Sequence, residues 1–234
     1  MIYSLTYTFP PLIRGVFVER RNRFAALVEV RGRRETVFVP NSGRLKELLA
    51  PGTEVFLAEK KAPHRVTAYD LALVRHGELL VSVDAHLPNK VVEQALRQGL
   101  LEPFAGWEEI NREYNYGHSR IDFRLRFVKQ ECFIEVKSVT LVNDGTAMFP
   151  DAPTARGTRH LQELAGAVGE GGRAAALFLI QRDDAQAFAP NDATDPVFGA
   201  ALRAAAGAGV EVYAYRCRVT LEGISIEEQV PVLL

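Results

Sequence analysis

Hydrophobic patterning in this chain changes period at Pro88. Before it, apolar residues come in short runs rich in Val, Phe and Leu, at 16–20, 24–30, 35–39, 53–58, 65–74 and 79–84. Turn signals separate them: Arg31-Gly32, Pro40-Asn41-Ser42-Gly43 and Pro51-Gly52. One stretch, 44–49, places Leu45, Leu48 and Leu49 at helical spacing. Five or six short strands with one small helix between the third and fourth is the order of an OB-type barrel. Other small barrels share much of that pattern. After Pro88 helices and strands alternate. Helix 89–100 carries the stripe Val91, Val92, Ala95 and Leu96 and closes at Gly99. Strands are predicted at 113–116, 119–127 and 132–140, then a helix at 154–168. The run 174–180 is wholly apolar, which suits a strand covered on both faces. A helix at 195–206 and strands at 209–219 and after Glu222-Gly223 complete the order. The expected class is mixed α+β: an OB-like barrel over 1–85, then an α/β unit with a mixed central sheet over 86–234.

The 234 residues suit one large domain or two small ones at roughly 100–200 residues each. Charge divides along the same line. Residues 1–85 hold 13 basic and 9 acidic side chains, a net of +4, and residues 86–234 hold 15 and 20, a net of −5. A basic module joined to an acidic one suits a protein that holds phosphate with one part and a metal with the other. Two solvated surfaces of different composition produce the same split. The longest apolar run, 174–180, is far short of the roughly 20 residues that span a bilayer, so no membrane span is expected. Residues 1–11 carry no charge and no uninterrupted apolar core, unlike a signal peptide. Cys132 and Cys217 make no disulfide framework, and a reducing cytoplasm fits. The five His are scattered, with no zinc-ligand spacing.

Chemistry concentrates in two strands. Over 119–127 the alternation sets Ile121, Phe123, Leu125 and Phe127 on one face and Arg120, Asp122, Arg124 and Arg126 on the other. In the next strand Phe133, Glu135 and Lys137 share a face. The spacing from Asp122 to Glu135 fits one hairpin, and aligned polar faces bring the two carboxylates together. Paired carboxylates form a hard oxygen site suited to Mg²⁺ or Mn²⁺. A lysine beside them can stabilise charge building on a phosphate. A cross-strand salt bridge on a wet sheet face accounts for the same residues. A second acid-x-Lys triplet, Glu59 and Lys61, lies in a polar loop with no Asp on a preceding strand. Two cationic segments stand out besides. Arg20, Arg21 and Arg23 flank a turn in the barrel region, where they can track a nucleic-acid backbone or simply face solvent. Arg156, Arg159, His160 and Glu163 form a polar stripe at the start of the helix that Thr154 caps, suited to phosphate or to an exposed helix face.

The sequence resembles the sugar fermentation stimulation protein A (SfsA) family over nearly its whole length. The resemblance rests on Arg20-Arg21-Asn22-Arg23-Phe24, Pro40-Asn41-Ser42-Gly43, Pro88-Asn89-Lys90 and Tyr116-Gly117-His118-Ser119-Arg120-Ile121-Asp122-Phe123. It continues in Glu135-Val136-Lys137-Ser138-Val139-Thr140-Leu141 and Phe149-Pro150-Asp151-Ala152, with Thr154, Arg156-Gly157 and His160-Leu161. Ser42, Ala155 and Arg159 stand where that family usually has Thr, Glu and Lys. The resemblance implies an OB-like domain followed by a restriction-endonuclease-like (PD-(D/E)xK) domain. It also implies DNA binding and a role in regulating sugar (maltose) metabolism. On that template Asp122 and Glu135 are metal carboxylates, Lys137 is the motif lysine, and Glu93 stands where the first helix often adds an acid. Expected nucleic-acid contacts are Arg20, Arg21, Arg23, Arg156, Arg159 and His160. A DNA-binding regulator, a Mg²⁺-dependent structure-specific DNA endonuclease and an RNA-binding protein all remain compatible with these residues.

Overall fold

The computed structural model describes residues 6–60 and 65–234. In chain order its first strands are β1 (Tyr7–Thr8), β2 (Leu12–Asn22), β3 (Ala25–Val30), β4 (Arg33–Phe38), β5 (Glu54–Glu59), β6 (Tyr69–His76) and β7 (Leu79–Ser82). Strands β2 to β6 run in the order β4-β3-β2-β5-β6, and a parallel contact of Phe38 with Asp70 joins β4 to β6. That contact closes the ring into an OB-type barrel. Val28, Val37, Leu45, Leu57 and Leu71 fill it without solvent exposure. β2 can serve both flanks because its register with β3 shifts twice, between Phe17 and Glu19 and between Arg20 and Asn22. Such bulges bend a strand and re-aim its side chains.

The helix expected at 44–49 does not form. The segment makes turns, with Leu45 at φ 51° and the Leu48 and Leu49 N–H groups both donating to the Leu45 carbonyl. Leu45, Leu48 and Leu49 are buried as the spacing implies, yet one turn before Pro51 is too short to propagate a helix. The run 65–74 shortens to β6, which starts at Tyr69. Residues 61–64, and with them Lys61, lie outside the described residues. β1, within the stretch assigned to the barrel, instead pairs antiparallel with the last strand of the chain.

The second unit holds α1 (Leu87–Arg97), β8 (Glu109–Tyr116), β9 (Ser119–Arg126), β10 (Glu131–Val139), β11 (Leu141–Asn143), β12 (Thr146–Phe149) and α2 (Ala155–Gly169). β13 (Arg173–Ile180), β14 (Ala187–Pro190), α3 (Pro196–Gly207), β15 (Glu211–Val219) and β16 (Gly223–Gln229) follow. Its main sheet is mixed, in the order β1-β16-β15-β13-β10-β9-β8, with β13 parallel to both β10 and β15. β13, the wholly apolar run, is central and buried on both faces. α1 covers one face, sharing a core cluster with Phe123, Ile134 and the barrel residues Phe56 and Leu73. α2 and α3 cover the other, around Phe178, Leu164 and Leu202. Thr154 Oγ1 accepts the Gly157 N–H and starts α2, and Asp195 caps α3 in the same way through the Phe198 N–H. β11, β12 and β14 make a small third sheet.

Barrel and sheet are joined by polar contacts as well as by the shared cluster. Ser82 Oγ donates to buried Gln181 Oε1 at 2.9 Å, and Gln181 Nε2 donates to half-buried Ser138 Oγ at 2.9 Å. Asp151, just after β12, accepts the backbone N–H groups of Arg44 and Leu45 at 2.7 and 3.0 Å. The 41–45 loop of the barrel is thereby held against the start of α2.

Candidate functional site

A cleft of about 540 Å³ opens between barrel and sheet unit, and Asp122, Glu135, Lys137 and Arg156 line it together with Arg23 from the barrel. The β9–β10 hairpin puts the acids there. Its register pairs Phe133 with Arg124 and Ile134 with Phe123, and the ladder ends at that point. The next step along each strand is Glu135 and Asp122. Asp122 Oδ2 accepts the Val136 N–H at 2.8 Å in place of a ladder partner, and its Oδ1 accepts from Asn89 Nδ2 at 2.6 Å. β9 also changes face here. Burial alternates along β9 as expected, with Ile121, Phe123 and Leu125 buried, but Ile121 joins the cluster around α2 while Phe123 and Leu125 join the one beneath α1. Across the hairpin Glu113 adopts a left-handed φ of 51°, between residues that pair with Phe123 and with Ile121. Non-glycine residues in that region are strained and concentrate at functional positions.

Glu135 is 3% exposed. Its Oε1 accepts from Lys137 Nζ at 2.5 Å and from Nδ1 of His160. Arg156 Nε donates to His160 Nε2 at 3.2 Å. A guanidinium has no acceptor, so Nε2 is the bare nitrogen and Nδ1 carries the hydrogen given to Glu135. The other carboxylate oxygen, Glu135 Oε2, is buried with no hydrogen-bond partner. Burial pushes the Glu135 carboxyl up, but Lys137 and His160 outweigh it and hold the group below its usual value. Burial raises Asp122 to about 6, helped by the charge on Glu135 and opposed by Val136, Lys137 and Asn89.

The other expected site residues separate. Glu93 stays apart from the acids: Arg97 and Arg112 hold it at 2.9 and 3.0 Å. Asn89, one helical turn earlier, takes the place expected of Glu93. Among the described residues no third Asp, Glu, His or Cys completes a metal cluster with the pair. His160 is 2% exposed and leaves the surface stripe for the interior of the site. Arg159 is exposed on α2, outside the cleft lining. Arg21 pairs with Glu19 at 3.0 Å. Arg20 donates to the main-chain carbonyls of Arg44 and Arg23 at 2.7 Å and of Asn41 at 3.0 Å, bracing the loop rather than facing a ligand. Of the three barrel cations, Arg23 alone lines the cleft. Sequence reasoning gave Asn89 and Asp151 no role. Asn is common in helix first turns, and a carboxylate that caps a loop a hundred residues away leaves no local pattern.

Residues 18–83 match the family model described as the SfsA N-terminal OB domain, and residues 86–223 match the sugar fermentation stimulation protein RE domain. The chain is 47% identical over 231 residues to a sugar fermentation stimulation protein homolog of Desulforamulus reducens, covering 99% of this chain and 96% of that one. To the homolog of Symbiobacterium thermophilum it is 51% identical over 238 residues, 95% of each chain. The solved structure of Pyrococcus furiosus SfsA in complex with Ca²⁺ is similar at a TM-score of 0.93 and 31% identity, covering 99% of this chain and 100% of that one. With both units matched in order and relatives aligned end to end, the chain belongs to the sugar fermentation stimulation protein family.

Proposed function

We propose that this protein binds DNA in the cleft and, with a divalent ion at Asp122 and Glu135, hydrolyses a phosphodiester bond there. The observation that carries this reading is the unpartnered Oε2 of a buried, charged glutamate beside a second carboxylate. A buried oxygen without a partner costs about 1–3 kcal/mol, more when charged, and a cation is the partner that relieves it. Two carboxylates suffice for Mg²⁺ or Mn²⁺, which keep several waters. The Pyrococcus furiosus relative, solved in complex with Ca²⁺, supports a hard-cation site in the family.

When bound, such an ion supplies charge neutralisation at the phosphate and acidifies water. The chain's own residues do the rest. Lys137, held by Glu135, offers its ammonium to charge developing on phosphate oxygens. His160 fixes Glu135 from behind, keeping Oε2 directed away from the ring. Arg156 and Arg23 line the same cleft as cations for the flanking phosphates. A second reading, a DNA-binding regulator of sugar metabolism that does not cut, draws on the basic side of the barrel. It leaves two acids facing phosphate unexplained, because they repel DNA unless a cation neutralises them.

The test is a calorimetric titration with Mn²⁺ and a panel of duplex, flap, single-stranded DNA and RNA substrates. Wild type should bind the ion and yield products, Asp122→Asn should lose the heat, and Lys137→Ala should lose the products. Equal heats in wild type and Asp122→Asn end the metal reading. Products that persist in Lys137→Ala end the cleavage reading.

A further inference from the structure

A second depression, about 510 Å³, lies on the barrel and is lined by Arg20, Arg23, Arg44 and Lys46, with no acidic residue. Arg23, Ser42 and Gly43 line both this groove and the carboxylate cleft, so the two are contiguous. Arg23, Arg44 and Lys46 are exposed and form no ion pair among the described residues. Arg20 spends its guanidinium on loop carbonyls, which fixes the groove's shape while adding charge to it. The shared wall is also fixed from the other side by Asp151. Gly43 suits this crossing, because a Cβ there would lie 2.8 Å from Asp151 Oδ2 and 2.9 Å from Asn41 Oδ1 and would push on the side chains that hold the loop.

The acids at the far end are recessed: Glu135 is 3% exposed and the Lys137 side chain 12%. A single strand can turn one phosphate down toward acids this recessed without the rest of a stiff duplex having to follow it. A cleft of 540 Å³ matches a drug-sized ligand, about one or two nucleotides. A single strand is narrow and flexible enough to lie along a cationic groove and bend into such a cleft.

We infer that the barrel groove and the cleft form one continuous track for a single-stranded nucleic-acid segment, a tail or flap, with Arg44 and Lys46 holding phosphates upstream of the carboxylates. This rests on nucleic-acid binding as proposed above and is independent of whether the strand is cut.

The experiment is fluorescence anisotropy with the full chain and labelled dT12, rU12 and a blunt 12-bp DNA duplex in EDTA, across a salt series. Binding of single strands at least tenfold tighter than the duplex is expected. Arg44→Ala/Lys46→Ala should weaken single-strand binding at least tenfold and reduce the log–log salt slope by roughly 1.4, the value for two phosphate contacts. Arg33→Ala/Arg34→Ala removes the same charge from the barrel outside the groove and should leave affinity within about twofold. Comparing dT12 with rU12 assigns the sugar. A duplex that binds as tightly as the single strands, or equal losses in the two double variants, overturns the track. Thermal melting confirms that the variants are folded, and Lys46→Glu gives a charge-reversal check at one exposed position. Failure of cleavage on every substrate would sink the hydrolysis reading and leave this result intact.

Discussion

The barrel and the sheet unit treat charge in opposite ways. On the barrel, Arg20 is bound by main-chain carbonyls while Arg23, Arg44 and Lys46 stay exposed at the groove. In the sheet unit, Glu135, Lys137 and His160 are withdrawn from water into one connected network, with Arg156 closing its outer end. Exposed cations act at long range and are screened by salt. Desolvated groups act over one or two bonds and are sensitive to which atom holds the proton. On the proposed reading, attraction of a polyanion is separated from chemistry upon it, and the 41–45 loop is where the two regions meet.

Arg20 and Arg23 break that comparison most sharply, since they are neighbours in sequence and alike in charge. Arg20→Ala removes donors from several loop carbonyls, and hydrogen bonds from charged groups contribute about 1.5–3 kcal/mol each when not solvent-compensated. Partial solvent access reduces the expected loss to about 2 kcal/mol in total, a fall in Tm of roughly 4–8 °C. Arg23 makes one long bond to the same loop, its Nε donating to the Ser42 carbonyl at 3.4 Å. Arg23→Ala should therefore lower Tm by about 2 °C at most and weaken nucleic-acid binding several-fold with a shallower salt slope. Paired melts and anisotropy titrations check both. If Arg23→Ala costs as much stability as Arg20→Ala, the division between brace and contact is wrong.

Asp122 sharpens the same contrast from the sheet side. An ordinary Asp titrates near 3.9 in the unfolded chain, whereas burial first, and Glu135 second, raise this one to about 6. Between those values the folded state holds a proton that the unfolded state has released. Stability therefore falls as pH rises from about 4 to 6 and stays low above that. Asp122→Asn removes this slope. Its amide oxygen still accepts from Val136 N–H, and its NH2 is satisfied once the Asn89 amide turns to present its oxygen, so the net gain at pH 7 should be about 1 kcal/mol, or roughly 2–4 °C. Urea unfolding of both proteins at pH 4.5 and 7 measures it. A variant that is no more stable at pH 7 would mean the carboxylate is better solvated than its surroundings indicate.

How much of the molecule is legible in its sequence follows from range. The β9–β10 hairpin is, because alternation and a short connection are local properties, and with it comes the proximity of Asp122, Glu135 and Lys137. The Thr154 cap and the buried β13 are legible for the same reason. β11 and β12 pair with each other across the Asp144-Gly145 turn, a local signal that a search for longer strands passes over, whereas β14, four residues long and paired with β12 from much further along the chain, is not legible. Nor is β1, whose partner is at the opposite end of the sequence. Helical spacing puts His160 on a polar stripe with Arg156 and Arg159, but beside the cleft His160 alone of the three is buried while Arg159 stays exposed. The face change at Asp122 is invisible to period-two counting; it lies opposite a left-handed residue, Glu113, in the neighbouring strand.

Glu93 carries the smallest expected effect and the most direct test of how α1 is oriented. Helical position alone makes it a candidate third acid, yet its carboxylate is shared by Arg97 on its own helix and Arg112 on β8. Pairs with half-exposed arginines contribute about 0.2–1 kcal/mol. Glu93→Gln should therefore cost about 0.5 kcal/mol or less and leave Mn²⁺ affinity unchanged, because Asn89 occupies the helix position that reaches Asp122. Asn89→Ala provides the contrast: it removes a 2.6 Å hydrogen bond to Asp122, so it should weaken the ion several-fold and also cost about 1.5 kcal/mol of stability. Calorimetric titration of both variants with Mn²⁺ separates them. If Glu93→Gln weakens Mn²⁺ and Asn89→Ala does not, α1 must rotate when the ion binds. The acidic side of the molecule would then be assembled by its ligand, not already in place as the geometry of Asp122 and Glu135 indicates.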